Sequence, residues 1–302
     1  MHAGFPIFKR LELSDKGIIL NYTRNFEAYS DYNFLSLYTW NIEDKIEFSI
    51  LNRNLIVRFT DYSNRKLFYS FIGKNKIKET TIQVIEYAKE NNINQTLKLI
   101  PEECIIDIKN FKKISIEEDK DNFDYIFNIS SLKTYKGRNL RAKKNFVNRF
   151  LKKYNSRVEI LDINDIKVKN SILELFCLWK NEKNFTKEQV LNEYLALKKL
   201  LLNSDNFTVL VLGVFVNNKL IGFSISEILE NGYAILHFLK ADFKNFVGIY
   251  PYIIRETAKI LDKNGTKFIN FVQDVGVEGL RNMKKSYRPC KLLKKYKIKL
   301  DY

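Results

Sequence analysis

Three apolar runs, FTVLVLGVFV, LIGFSISEIL and YAILHFLKA, follow one another in the second half of the chain, separated only by Asn217-Asn218-Lys219 and Glu230-Asn231-Gly232. The runs are strand-length and rich in β-branched and aromatic residues. Asn-Asn and Asn-Gly tolerate the positive φ angles that tight hairpins demand. An antiparallel meander is the only ordinary way to fold such a segment, and its flanks extend the pattern. Before it stand a strand, Arg157–Asp162, and two helices, Asp165–Glu182 and Thr186–Leu202. Their apolar stripes are Ile172, Leu175, Phe176 and Trp179, then Val190, Tyr194, Leu197 and Leu201. After it come a helix, Gly248–Lys263, closed by Asn264-Gly265, a strand, Lys267–Val272, a short helix, Val277–Tyr287, and a strand, Lys291–Lys299. The order is β-α-α-β-β-β-α-β-α-β.

That order resembles the GNAT acyltransferase fold, in which the fourth and fifth strands splay apart and an acyl donor enters the cleft. The first half carries a similar inventory. It has a helix over Gly17–Tyr29, a helical SDYNFLSLYTW, and strands EFSIL, LIVRF and KLFYSF. A helix over Ile77–Asn91 and strands TLKLI, FKKISI and DYIFNI follow. The expected fold class is therefore α+β (mixed α/β), two tandem GNAT-like domains, each a mostly antiparallel sheet flanked by helices. The domains are expected over residues 1–132 and 133–302, with the seam in Ile129–Gly137 and the active-site cleft in the second. At 45% hydrophobic and 14% aromatic residues the chain can bury two cores, which excludes disorder as its main state. The aromatic run Tyr32, Phe34, Tyr38 and Trp40 reads as core rather than as a base-stacking platform.

Several chemistries are excluded early. Cys104, Cys177 and Cys290 are odd in number and far apart, giving neither a disulfide framework nor a metal cluster. His2 and His237 are the only histidines, which argues against a histidine metal site or a Ser-His-Asp triad. No metal and no resident cofactor are expected. The N-terminus has no apolar leader, and nowhere do about eighteen apolar residues run together. The expected location is cytoplasmic, or peripheral to the inner face of a membrane.

The formal charge of +16 is concentrated in two places. KTYKGRNLRAKKNFVNRFLKK, Lys133–Lys153, holds nine basic residues and no acid. Arg281–Tyr302 holds nine more against Asp301 alone. The remainder is close to neutral, so codon bias scattering lysine evenly does not explain the total. Two cationic patches suit a polyanion, whose phosphates release counterions when contacted. Leu140, Phe146, Val147, Phe150, Leu151 and Tyr154 give the first patch an apolar stripe and hence a helix. Arg138, Arg141, Lys143, Lys144 and Arg149 are its candidate phosphate ligands, with Lys284, Lys285 and Arg288 from the second patch.

The loop after the third meander strand, ADFKNFVGIYPYIIRE, has a single glycine, Gly248, and Pro251 lacks an N–H. It is a poor pyrophosphate cradle, so coenzyme A is disfavoured as donor. Asp274 sits where it can cap the helix that follows, and Glu278 lies in that helix's first turn. Either could hold an ammonium or accept a proton, and Tyr287 at the helix end could donate one. These three are the candidate catalytic residues, with capping, dipole and core packing as the competing readings. His237, Lys240, Asp242 and Arg281 are candidate substrate contacts. His237 also reads as an ordinary structural histidine in an apolar strand.

Three segments carry a further resemblance: SDYNFLSLYTWN (Ser30–Asn41), DYIFNISSLKTYKGRNLRAKKNFVNRFLKKY (Asp124–Tyr154) and QDVGVEGLRNMKKSYRP (Gln273–Pro289). Together they are similar to bacterial proteins related to the C-terminal domain of phosphatidylglycerol lysyltransferases, over nearly the whole chain. Lys143, Lys144 and Asn145 match the shared basic motif, and Asp274, Gly276, Gly279, Leu280 and Arg281 match the last one. The resemblance implies tandem GNAT-like domains, a build shared with Fem-type peptidoglycan aminoacyltransferases. It also implies transfer of an aminoacyl group from a charged tRNA to a lipid hydroxyl or an amine. The partner implied is an aminoacyl-tRNA, with an anionic membrane surface as the alternative. Relative to the full lysyltransferases the chain is expected to lack the membrane-spanning N-terminal part, which counts against a lipid as the acceptor. An acyl-CoA-dependent N-acyltransferase and a non-catalytic basic module binding RNA or anionic lipid are the other readings.

Overall fold

A computed structural model describes residues 4–61, 66–109, 111–181 and 187–301. Contacts divide the chain into two units. The first comprises residues 1–124, 273–277 and 293–302, and the second residues 125–272 and 278–292. The seam thus falls at 124/125 rather than at 132/133, and the chain's last strand returns to the first unit.

In the first unit β1 (Lys9–Arg10), α1 (Lys16–Thr23) and α2 (Phe34–Thr39) precede the hairpins β2 (Glu47–Leu51), β3 (Asn54–Thr60) and β4 (Leu67–Ile72). Then come α3 (Ile77–Glu90), β5 (Leu97–Pro101) and β6 (Ile114–Glu118). The helix expected to reach Tyr29 stops at Thr23, and α2 starts behind an Asn33 cap that accepts the Ser36 N–H at 3.0 Å. Tyr32 and Phe34 are core residues, as expected of that aromatic run.

The second unit takes β7 (Asp124–Asn128), α4 (Ile129–Leu132), α5 (Arg141–Lys153), β8 (Ser156–Leu161), α6 (Ile166–Asn181) and α7 (Lys187–Leu202). The meander is β9 (Val209–Val216), β10 (Lys219–Ile228) and β11 (Tyr233–Ala241). It is followed by α8 (Ile249–Lys263), β12 (Phe268–Asn270), α9 (Glu278–Ser286) and β13 (Lys291–Leu293). The expected helix ends at Glu182 and Thr186 lie outside the described residues. Asn217 and Asn218 do adopt positive φ, 49° and 62°, which matches the hairpin to the strand twist.

The seven-stranded sheet of the second unit runs β13-β7-β12-β11-β10-β9-β8. β12 pairs in parallel with only the first part of β11, Tyr233 to Ile235, and β11 continues to Ala241 paired with β10 but no longer with β12. This is the splay that the resemblance to the GNAT fold implies. Against β10, Ile225 faces Phe238 and Ser226 faces Leu236, so His237 is the extra residue of a β-bulge. The first unit splays further. Its sheet β1-β2-β3-β4 is separate from a three-stranded sheet, and one isolated parallel bridge joins Phe68 of β4 to Asn94, which precedes β5. The expected strand Lys291–Lys299 is in fact two. β13 joins the second unit's sheet, whereas β14 (Lys295–Leu300) lies between β5 and β6 in the first. In the same way β7, last of the first run of strands, lies between β12 and β13.

Candidate functional site

α5 buries Val147 and Phe150 and leaves Arg141, Lys144, Arg149, Lys152 and Lys153 in solvent, with Arg138 exposed just ahead. Arg138, Arg141, Lys144 and Arg149 have no carboxylate partner among the described residues. The helix start is unusual. Leu140 stands at the N-cap with no side-chain cap, and the first turn holds no acid. The positive end of the helix dipole therefore coincides with Arg141, Lys143 and Lys144, an arrangement that only an external anion relieves.

Lys143 is half-buried and differs from its neighbours. Burial pulls its ammonium below the usual lysine value, and its Nζ lies 4.1 Å from the centre of the Tyr287 ring. Tyr287, just past the end of α9, is 2% exposed and surrounded by Phe127, Phe271 and Tyr135. Burial pushes its phenol far up, and its hydroxyl shares a hydrogen bond with that of Tyr135. Tyr135 itself donates to the Pro251 carbonyl at 2.8 Å, in the first turn of α8. Tyr287 is thus an enclosed core phenol that supports Lys143.

The remaining expected contacts are occupied. His237 Nε2 lies 3.3 Å from Glu227 Oε2, and its side chain is buried. Lys240 Nζ lies 2.6 Å from Glu193 Oε1. Asp242 accepts from the Asn245 N–H at 3.2 Å and the Asn245 amide at 2.9 Å, closing the turn into α8. That turn also uses the N–H groups of Phe246 and Ile249, bonded to Asp242 O and Phe246 O. Pro251 contributes no N–H to this loop.

On α9, Glu278 and Lys285 are exposed and Arg281 is partly so, and Arg288, beyond the helix end, is exposed as well. Lys284 is not a phosphate ligand. It is 5% exposed, and its Nζ donates to Val272 O at 3.1 Å, because it falls on the core-facing side of the helix. Asp274 belongs to the first unit, whereas Glu278 and Tyr287 belong to the second. Asp274 is fully buried, and its Oδ1 accepts the Gly276 N–H at 2.9 Å, which shapes the turn before α9.

Three cations of the second basic patch are paired within the first unit. Lys294 pairs with Glu118 at 2.9 Å, and Lys297 with Asp119 at 3.0 Å. Lys295, with no exposure at all, lies between Asp31 and Asp124. Ser30 donates to Asp124 through its N–H at 2.8 Å and its hydroxyl at 2.7 Å, and Gln273 donates to Asp31. Sequence reasoning missed this buried cluster. No local signal marks it, since strand alternation puts Lys295 on one face with Lys297 and Lys299, in a segment whose high charge suggests solvent.

Among the described residues no group of His, Cys, Asp and Glu could hold a metal, and no helix is long and apolar enough to cross a membrane.

Known proteins share this architecture. A conserved protein of unknown function from Bacteroides thetaiotaomicron superposes with TM-score 0.85 at 26% identity, over 97% of this chain and 99% of that one. L-PGS from Bacillus licheniformis superposes with TM-score 0.58 at 14% identity, over 92% and 91%, a likeness of fold. An uncharacterized protein of Mycoplasmoides gallisepticum is 24% identical over 187 residues, 61% of this chain and 58% of that relative's length. The chain thus spans less than two thirds of that relative. Residues 23–299 match the family described as phosphatidylglycerol lysyltransferase, C-terminal, which agrees with the paired GNAT-like units, and the chain belongs to that family.

Proposed function

We propose that the protein is an aminoacyltransferase that draws its aminoacyl group from a charged tRNA, with α5 as the grip on the tRNA backbone. The observation that carries this reading is the uncapped, acid-free start of α5, set among unpaired Arg138, Arg141, Lys144 and Arg149. Such a surface positions a phosphate backbone without reading its sequence. The family membership supports the transfer chemistry. In that step the acceptor's O–H or N–H attacks the ester carbonyl carbon. A new C–O or C–N bond forms, the bond to the ribose oxygen breaks, and the acceptor's proton ends on that oxygen. Glu278, exposed in the first turn of α9, is the candidate carboxylate for the aminoacyl ammonium.

Arg141→Glu with Lys144→Glu should weaken tRNA binding by at least about tenfold and lower the slope of log affinity against log salt by roughly two. Fluorescence anisotropy with a labelled tRNA across a salt series reads both quantities. Unchanged affinity and slope would remove the tRNA half of the proposal. Tyr287→Phe tests a different point. The buried phenol cannot reach a substrate, so turnover should persist, while thermal unfolding should report a loss of about 1 kcal/mol for the hydrogen bond. A collapse in turnover without a matching loss in stability would return Tyr287 to the chemistry.

One observation favours a second partner for the same helix. Phe146 and Leu151, 40% and 45% exposed, flank the cations as residues of an interfacial helix do. Sedimentation with vesicles of phosphatidylglycerol separates the two. Vesicle binding lost in Phe146→Ser, with tRNA binding absent, would favour the anionic membrane.

A further inference from the structure

Lys240 ends in surroundings unlike those of any other lysine described above. It is the penultimate residue of β11, on the stretch that has left β12, and its side chain reaches α6 and α7. Its Nζ lies 3.8 Å from the centre of the Trp179 ring and 5.7 Å from that of Phe176. Phe176 packs against Trp179 at 5.4 Å and against Tyr194 at 5.7 Å, so aromatic surface wraps one side of the ammonium. Glu193 Oε1 closes the other side at 2.6 Å. All five residues belong to the second unit.

Aromatic faces plus one carboxylate are the elements that recognise an alkylammonium ion in a partly dry site. The cage is rigid where it is aromatic, with Trp179 4% exposed and Phe176 fully buried. It is open where it is acidic, since the Glu193 side chain is 23% exposed against 8% for Lys240. A ligand would therefore enter past Glu193. The occupant is a flexible four-carbon stem on an unpaired strand edge, which can withdraw without disturbing the sheet.

We infer that the pocket of Phe176, Trp179, Glu193 and Tyr194 is a binding site for a primary alkylammonium group, and that Lys240 fills it as a tethered placeholder. The ligand's ammonium takes the place of Nζ, with no bond made or broken. A tethered competitor acts at an effective concentration on the order of millimolar, so the native chain binds such ligands weakly and a chain without Nζ binds them well. This site is independent of the tRNA reading and survives or fails without it.

Trp40→Phe leaves Trp179 as the sole tryptophan, and its fluorescence reports the cage directly. The probes are n-butylammonium chloride, for a bare amine, and L-lysine, for an amino-acid side chain, each against sodium chloride at equal ionic strength. In the Lys240→Met background at least one probe should shift the fluorescence saturably, at least about tenfold tighter than in the Lys240 chain. The probe that binds more tightly names the source of the ammonium. Adding Glu193→Gln should abolish the effect, and Lys240→Arg, which keeps the cage filled, should show none. Absence of saturable binding in a folded Lys240→Met chain overturns the inference, as does binding that survives Glu193→Gln. Should Lys240→Met not fold, the Lys240 chain itself decides, since a saturable shift at high n-butylammonium must still appear and must be lost in Glu193→Gln.

Discussion

Lys295→Met is expected to destabilise the first unit by roughly 3–5 kcal/mol, the usual result of leaving buried carboxylates without their cation. Lys295 is wholly buried, and both Asp31 and Asp124 depend on it. The sites are not equivalent. Asp124 also accepts two hydrogen bonds from Ser30, whereas burial pushes the Asp31 carboxyl above its ordinary 3.8 despite the lysine. Adding Asp31→Asn and Asp124→Asn to Lys295→Met should recover much of the loss, because the penalty lies in unpaired charge. Urea unfolding can be followed in a Trp179→Phe background, where Trp40 reports on the first unit alone. A loss below about 1 kcal/mol would show that the cluster contributes little.

The same cluster sets an alkaline limit. Burial alone would lower the Lys295 ammonium, but the two carboxylates outweigh it and hold the group above 10.5. A raised lysine gives stabilisation that is complete below its unfolded value and is lost as pH rises through the folded one. The stability difference between native and Lys295→Met chains should therefore be constant through neutrality and shrink above pH 10.5. Asp31, whose folded value is also raised, contributes most at low pH and loses that contribution as pH rises, so acid does not release the cluster through it.

What could be read from the sequence was local. Asn217-Asn218 signals a hairpin because few residues tolerate two successive positive φ angles, and that turn anchors the order of strands. α5 was legible because its stripe and its charges both repeat with helical period. The destination of KLLKKYKIKL was not. Alternation announces a strand, yet nothing within ten residues says that the strand breaks at Lys294 and continues in the other unit's sheet. The burial of Lys295 depends on Asp31 and Asp124, both more than 150 positions away. Lys284 failed for a related reason, since a basic helix keeps some long side chains along its core-facing side. The cage around Lys240 was half visible: Phe176 and Trp179 were placed on one helical stripe, but their facing a lysine of β11 is a tertiary fact.

Gly248→Ala should be nearly as damaging as the loss of Lys295, by a route that involves no charge. Gly248 caps α8 at φ 93°, and a Cβ there would stand 2.5 Å from the Phe146 carbonyl oxygen and 3.3 Å from Phe150 Cβ. The first contact is with the backbone of α5, which cannot rotate aside. Either α5 moves away from α8, disrupting the 4.7 Å stack of Phe150 on Tyr252, or the cap rearranges. Gly232→Ala supplies the control: φ is also positive, 78°, but nothing lies within 4 Å of the added carbon. Backbone strain alone costs about 1–2 kcal/mol, so Gly232→Ala should stop there and Gly248→Ala should reach about 3 kcal/mol or more. Trp179 fluorescence during denaturation, in a Trp40→Phe background, reads the second unit for both. Because α5 carries Arg141, Lys144 and Arg149, its displacement should also weaken tRNA binding with every cation still present. Gly232→Ala should leave that binding unchanged, so a loss shared by both variants would mean that general destabilisation, rather than the seating of α5, governs the grip.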